Sequence, residues 1–306
     1  MTPWQRAAVR TGALLAALIL GLASFPTKAR ACAVCSCGDP TLTTMGAEQP
    51  YQGRLRASLE GSSRTDTVGA EGVDRLHLSE RRLDARIAWA PHERAFLLLT
   101  LPLLSRTVEY VNLARHNTNA MGDVELHARI FLFRDRDYDA RHLVSVLAGV
   151  RLPTAPLQRG KGGALLPIEL QSGTGSFAPA LGLAYAHFAF PWSLYVSAAT
   201  TYATPGPEGF RASRTLATTV AGQYQLHSTF GLRLGVDSRL EGKSLEGGIA
   251  SPDSGGWISF AAGELLWSPS MDWTLYGSVR LPVWNALDGH HLEGPIFGTG
   301  VSYDFR

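Results

Sequence analysis

From Tyr51 to Phe305 apolar and polar residues alternate with a period of two, the spacing of a strand whose two faces meet different surroundings. In WSLYVSAATTY, residues Trp192, Leu194, Val196, Ala198 and Tyr202 share one face, and Ser193, Tyr195, Ser197, Ala199 and Thr201 take the other. DVELHARIFLF sets Val124, Leu126, Ala128, Ile130 and Leu132 against Glu125, His127 and Arg129. FGLRLGVDSRL and WTLYGSVRLPV repeat the pattern. These runs reach ten residues or more, longer than the ~5–6 of soluble strands and close to the ~9–11 of a strand tilted across a bilayer.

The pattern predicts twelve such segments, at 51–60, 76–89, 95–105, 122–133, 142–152, 177–188, 192–203, 212–226, 229–240, 256–267, 272–283 and 295–305. Long polar connections (61–75, 106–121, 153–176, 204–211, 241–255 and 284–294) alternate with short ones such as Pro91-His92-Glu93 and Ser268-Pro269-Ser270-Met271. Long loops on one side, short turns on the other and an even strand count describe a transmembrane up-and-down antiparallel β-barrel of about twelve strands. A soluble β-sandwich has no need of that alternation. Trp89, Trp192, Trp267 and Trp273 fall at the short-turn ends, where an interfacial aromatic girdle belongs, and Tyr202, Trp257 and Trp284 lie near the long-loop ends.

The face opposite the apolar row carries charge deep within the segments: Arg54, Arg56, Glu60, Arg82, Asp84, Arg86, Glu125, His127, Arg129, Arg233, Asp237, Arg239, Glu264, Arg280 and Asp304. In a barrel this row lines the lumen, where charges pair across strands or hold water. Both signs are mixed, so no strong ion selectivity is expected. FLLLTLPLL (Phe96 to Leu104) is apolar on both faces, and the sixth segment turns mainly Gly182, Ala184 and Ala186 inward. Room beside the charges there points to an apolar solute. The segment 153–176, rich in Gly and Pro, is a candidate external plug or gate, or else a mobile loop.

Composition sharpens the picture at the N-terminus. Arg6 and Arg10 precede an uncharged stretch with the apolar centre ALLAALILGLA, which ends at Ala29-Arg30-Ala31. The centre is too short for a membrane helix, and the pattern is that of a secretory signal cleaved after residue 31. The predicted division is therefore 1–31 signal peptide, 32–50 a Cys-containing periplasmic segment, and 51–306 an outer-membrane barrel. Charged residues make up 18% of the 306, below the ~25% of typical globular chains. The formal charge of +2 includes Arg6, Arg10, Lys28 and Arg30, without which acids outnumber bases, so a nucleic-acid partner is not indicated.

All three cysteines, Cys32, Cys35 and Cys37, sit in CAVCSC. An odd number cannot form a closed disulfide framework. Neighbouring thiolates suit a Cu(I) or Zn ion, the one cofactor the residues suggest, while a disulfide, acylation of Cys32 or another processing role remains the alternative. An enzymatic role finds little support. His127, His142, His187 and His227 are available as bases, yet neither Gly-x-Ser-x-Gly nor His-Glu-x-x-His occurs.

Several pieces, in order, resemble the Gram-negative outer-membrane "transporter" family labelled MetA-pathway of phenol degradation. They are Gly122-Asp123-Val124-Glu125-Leu126, Arg151-Leu152-Pro153-Thr154, Leu170-Gln171-Ser172-Gly173-Thr174-Gly175-Ser176 with Leu181-Gly182-Leu183-Ala184-Tyr185, Arg280-Leu281-Pro282-Val283, and Gly300-Val301-Ser302-Tyr303-Asp304-Phe305. The resemblance spans about residues 50–306. It implies an outer-membrane barrel that moves small, often hydrophobic compounds, with lipid, the barrel-assembly machinery and a small-molecule solute as partners, and it supplies no catalytic residue. CAVCSC and Gly38-Asp39-Pro40-Thr41-Leu42 stand outside the family pattern, and the terminal aromatic Phe305 is followed by Arg306. The expectation is a channel or transporter without covalent chemistry. A structural or metal/redox barrel using the CAVCSC arm is the first alternative, and a lipid hydrolase the second.

Overall fold

The computed structural model describes residues 53–305 apart from 74, 137–139 and 161. The signal peptide, the segment 32–50 and the candidate ligands Cys32, Cys35 and Cys37 lie outside the described residues.

The strands are β1 (Leu55–Val68), β2 (Leu76–His92), β3 (Ala95–Tyr110), β4 (Arg115–Met121), β5 (Val124–Arg134), β6 (His142–Leu152), β7 (Ala178–Ala189), β8 (Trp192–Thr201), β9 (Thr215–His227), β10 (Phe230–Glu241), β11 (Leu245–Glu246), β12 (Ile249–Ala250), β13 (Gly256–Trp267), β14 (Trp273–Leu287) and β15 (His291–Phe305). The pairings are antiparallel and, apart from β4 and the β11–β12 hairpin, join strands consecutive in sequence, and β1 pairs with both β2 and β15, which closes the sheet. Twelve strands make the wall. The remaining three are β4 and the small β11–β12 hairpin in the loop after β10.

Closure leaves no free edge around the wall, and each strand's alternation then separates an outside from an inside. Leu83, Ile87, Leu126, Leu181, Leu183, Leu234, Val236, Leu265 and Phe297 are exposed. Their neighbours of opposite parity, Asp84, Arg129, Ala184, Arg233 and Glu264, are buried. This is the inverse of a soluble protein. It is stable when the outer face meets hydrocarbon, where every backbone polar group has to be paired within the protein.

Trp89, Trp192, Trp267 and Trp273 are between 43% and 48% exposed, all at the short-turn end of their strands. Three of them pack on aromatic neighbours: Trp192 on Tyr224 (4.5 Å between centroids), Trp267 on Phe230 (6.1 Å) and Trp273 on Tyr303 (4.9 Å). Trp257 and Trp284 meet at 5.8 Å towards the long-loop end.

Several connections differ from the sequence expectation. Residues 61–68, 106–110 and 115–121 were assigned to loops by pattern and are strand; so are 284–287 and 291–294. In parts of these extensions both faces are polar, as with Ser63, Thr65 and Thr67 beside Arg64 and Asp66, so the alternation fades there while backbone pairing continues. The apolar pattern reports only the height of the apolar band.

At β3 the wall changes partner. Its first half pairs with β5, from Ala95↔Ile130 to Thr100↔Glu125, and its second half with β4, from Leu103↔Met121 to Glu109↔Arg115. Gly122 and Asp123 form the break between those two partners. A Cβ on Gly122 would stand 3.0 Å from Pro102 Cγ and 3.1 Å from Leu104 Cδ1, so a larger residue there would need these side chains to give way.

Candidate functional site: the charged interior and the inward-folded loop

The barrel interior holds the charged residues in three groups. Near the short-turn end, Asp304 on β15 accepts from Arg54 at 3.1 Å and from Arg56 at 2.9 Å. All three are buried. Two guanidiniums on one carboxylate compensate part of the cost of holding these charges away from bulk water.

The second group runs around the wall as a continuous chain. The Tyr276 hydroxyl donates to Glu60 at 2.9 Å, and Glu60 is paired with Arg86. Arg86 reaches Asp84 at 2.9 Å, and Arg82 donates to the same carboxylate at 2.6 Å. Arg82 also lies 3.6 Å from Glu125, which Arg151 approaches at 3.3 Å and His127 at 3.4 Å. The chain links β14, β1, β2, β5 and β6. Two glycines make room for its rings: a Cβ on Gly300 would meet Tyr276 Cζ at 2.3 Å, and one on Gly149 would meet His127 Nδ1 at 2.0 Å. Each ring therefore lies flat across the neighbouring strand's backbone.

The remaining charges pair mainly around β9, β10, β13 and β14. Arg233 donates to Glu264 at 3.2 Å and to Gln223 at 2.9 Å, with its guanidinium 5.4 Å from the Tyr195 ring centroid. Asp237 accepts from Arg280 at 2.9 Å and from Thr219 at 2.7 Å. Arg239 pairs with Glu241 and Glu293, and Arg129 donates to Ser145 at 2.9 Å while standing over Phe131. The small inward residues of β7 leave less room than the pattern implied. Ala186 packs in a buried cluster with Phe96, Phe131, Leu143 and Tyr195.

The segment 153–176, a candidate external plug or gate by sequence, lies within the loop 153–177 between β6 and β7, and its stretch 168–174 turns inward. That stretch is folded against the inner face of β2, β3 and β4. Leu170, 2% exposed, packs with Leu76, Leu78 and Val108, all on inward positions. Its carbonyl accepts from Thr118 at 3.0 Å, and Arg106 donates to the carbonyls of Glu169 (3.2 Å) and Gln171 (2.6 Å). Arg106 is itself held by Glu80, which Arg64 also contacts at 3.0 Å. Gln171, buried, bonds Gln158 through both backbone groups and the Leu166 carbonyl, so the loop is tied to itself as well. At the wall break, Asp123 accepts from Ala155 N at 3.1 Å and from Thr174 N at 2.9 Å.

Two cavities flank this stretch. The outer one, about 400 Å³, is lined mainly by Leu157, Leu165, Leu166, Pro167, Ile168, Pro207 and Phe210, with Glu169, Glu208 and Glu246. The inner one, about 270 Å³, is lined by Arg64, Glu80, Arg82, Arg106, Asp123, Glu125 and Arg151 among others. Of this inner set, the alternating pattern singles out Arg82 and Glu125 as lumen-lining, while Asp123 and Arg151 stand only in the pieces that carry the family resemblance. Glu80 was within reach of the same reasoning, because it precedes Arg82 by two residues on the same face. Arg64 and Arg106 sit in stretches assigned to loops, and the role of Asp123 depends on residues 32 and 51 positions away.

With this geometry in view, the chain is similar in fold to the COG4313 outer membrane channel from Pseudomonas putida F1, with a TM-score of 0.66 and 15% identity over 84% of this chain and 97% of that one. The fold is that of an outer-membrane β-barrel. The translocator domain of the autotransporter NalP from Neisseria meningitidis is also similar, with a TM-score of 0.49 and 13% identity over 85% of this chain and 91% of that one. No protein-family model matches the chain, and no curated protein matches it.

Proposed function

We propose that this outer-membrane β-barrel is a channel that passes small solutes across the bacterial outer membrane without covalent chemistry, and that apolar molecules are among its solutes. The observation that carries the reading is the inversion of the wall: an apolar exterior and a buried, cross-paired charged interior in a closed sheet. Charges in this number serve no purpose against lipid and are costly to bury, so their place is around an aqueous path. The similar fold of a protein described as an outer membrane channel supports the same reading. The order of motifs shared with the MetA-pathway family supports apolar cargo, as does the Leu- and Pro-rich lining of the outer cavity. In this account the short turns face the periplasm and the long loops the outside, lipid covers the Leu and Val rows, and the assembly machinery reads the strand that ends at Phe305.

Swelling of liposomes loaded with the mature protein tests the proposal. Proteoliposomes are expected to swell in small sugars and small aromatic alcohols faster than protein-free ones. Equal rates for all solutes, from protein that is demonstrably folded, would remove the channel reading. Faster swelling in sugars alone would remove the apolar cargo.

A further inference from the structure

The geometry points to the stretch Ile168–Thr174 as the constriction that sets what this channel admits, and to Asp123 as the residue that positions it. The inference rests on the channel reading and names the element that makes it selective. Ile168, Gln171, Gly173 and Thr174 line both cavities, so this short stretch is the partition between an outer chamber rich in Leu and Pro and an inner one rich in Arg. A solute crossing the barrel on this side has to pass the partition or displace it.

The partition is held at two ends of different character. On the wall side, Leu170 is buried and Arg106 and Thr118 bind three successive carbonyls, of Glu169, Leu170 and Gln171. On the other side Asp123 is the main anchor among the described residues, with Val124 N donating to Thr154 Oγ1 at 2.9 Å beside it. Asp123 is 4% exposed, and its carboxylate takes both ends of the loop at once: Ala155 N on one oxygen, Thr174 N and Thr174 Oγ1 (3.4 Å) on the other. The fit leaves no slack. A Cβ on Gly173 would lie 2.4 Å from Asp123 Oδ1 and 2.5 Å from the Ala155 Cβ. Asp123 sits in the break between β4 and β5, where the backbone is free of the β3 ladder and the side chain can turn toward the loop rather than along the wall. An irregular break in a strand is thereby used to fasten an irregular loop. Hydrogen bonds to an ionised acceptor are the strong ones, and a buried carboxylate that closes a loop at both stems restrains it more than either bond would alone.

Two variants test this from opposite sides of the contact. Asp123→Asn keeps the shape but puts an amide N–H₂ where one set of donors needs an acceptor. Gly173→Val drives a side chain into the same junction. In detergent-folded protein, hydrogen exchange of peptides covering 153–176 is expected to speed up by about tenfold or more in both, the scale of losing charge-assisted bonds. Exchange in β10, β13 and β14 is expected to stay as it was. In planar bilayers the unitary conductance is expected to rise by about twofold or more, the change of a constriction made mobile. Faster loop exchange with unchanged conductance would show that the stretch is not the constriction. Unchanged exchange in both variants would show that Asp123 does not hold it. If neither the parent nor the variants conduct, the channel reading fails, and the exchange result still decides the role of Asp123.

Discussion

Leu234 offers the sharpest test of which side of the wall meets lipid. It lies on β10, 59% exposed, between the buried Arg233 and the inward Gly235. From Phe230, stacked on Trp267 at the short-turn end, to Leu240, opposite Trp257 toward the long-loop end, ten residues rising ~3.3 Å each and tilted ~40° span about 25 Å, the height of an outer-membrane apolar band. Leu234 then stands about 10 Å above Phe230, within a few ångströms of the midplane. An arginine there faces hydrocarbon and is expected to cost about 2–4 kcal/mol. Asn117→Arg on β4, exposed and at the same height as Thr107 near the top of the wall, is expected to cost about 0–1 kcal/mol because that height belongs to the interface. Reversible guanidinium unfolding of the protein refolded into phospholipid vesicles reads both, as shifts of the midpoint at constant slope. Equal costs for Leu234→Arg and Asn117→Arg would refute the placement of the Leu and Val rows against lipid, since a solvated face does not discriminate by height.

Other outcomes follow from the interior. Asp304→Asn removes the shared carboxylate of Arg54 and Arg56 and is expected to destabilise by about 3–5 kcal/mol, the cost of leaving a buried pair half made; a loss below about 1 kcal/mol in the vesicle unfolding assay would contradict the buried description. Gly300→Val places a side chain into the Tyr276 ring and is expected to cost about 1–3 kcal/mol, with Gly300→Val/Tyr276→Ala recovering part of it. In the short turn after β5, backbone N–H groups of His142 and Arg141 bind Asp135 and hold its carboxyl below the ordinary carboxylate range. A depressed folded-state pKa means that the turn's stabilisation is complete above about pH 4 and fades as the pH falls through the folded value. Amide exchange in the turn, compared between the parent and Asp135→Asn, should converge at low pH and differ near neutrality.

The wall was legible in the chain because a closed membrane barrel writes its two environments into alternate residues. Leu194 and Tyr195, or Leu234 and Arg233, differ in burial as their parity requires. The strand ends above the apolar band were not legible, since Thr65 or Asn117 faces a polar medium on one side and charged neighbours on the other. The charged row could be listed from sequence, but its partners could not. Arg82 meets Asp84 two residues away, whereas Arg56 meets Asp304 at the far end of the chain, and only strand register decides between such options. The sequence marks 153–176 as a candidate external plug or gate, but does not show that 168–174 runs along the inner face of the wall. That stretch has the sequence of a loop, and what turns it inward is a buried Leu170 contact and a carboxylate on another strand.

The central claim is that this barrel encloses a path through the membrane. Single-channel recording of the purified mature protein in planar bilayers tests it most directly. The account predicts discrete current steps with weak preference between small cations and anions, as befits a lumen lined by mixed and mutually paired charges. A folded, membrane-inserted barrel that passes no current under any applied voltage would contradict it.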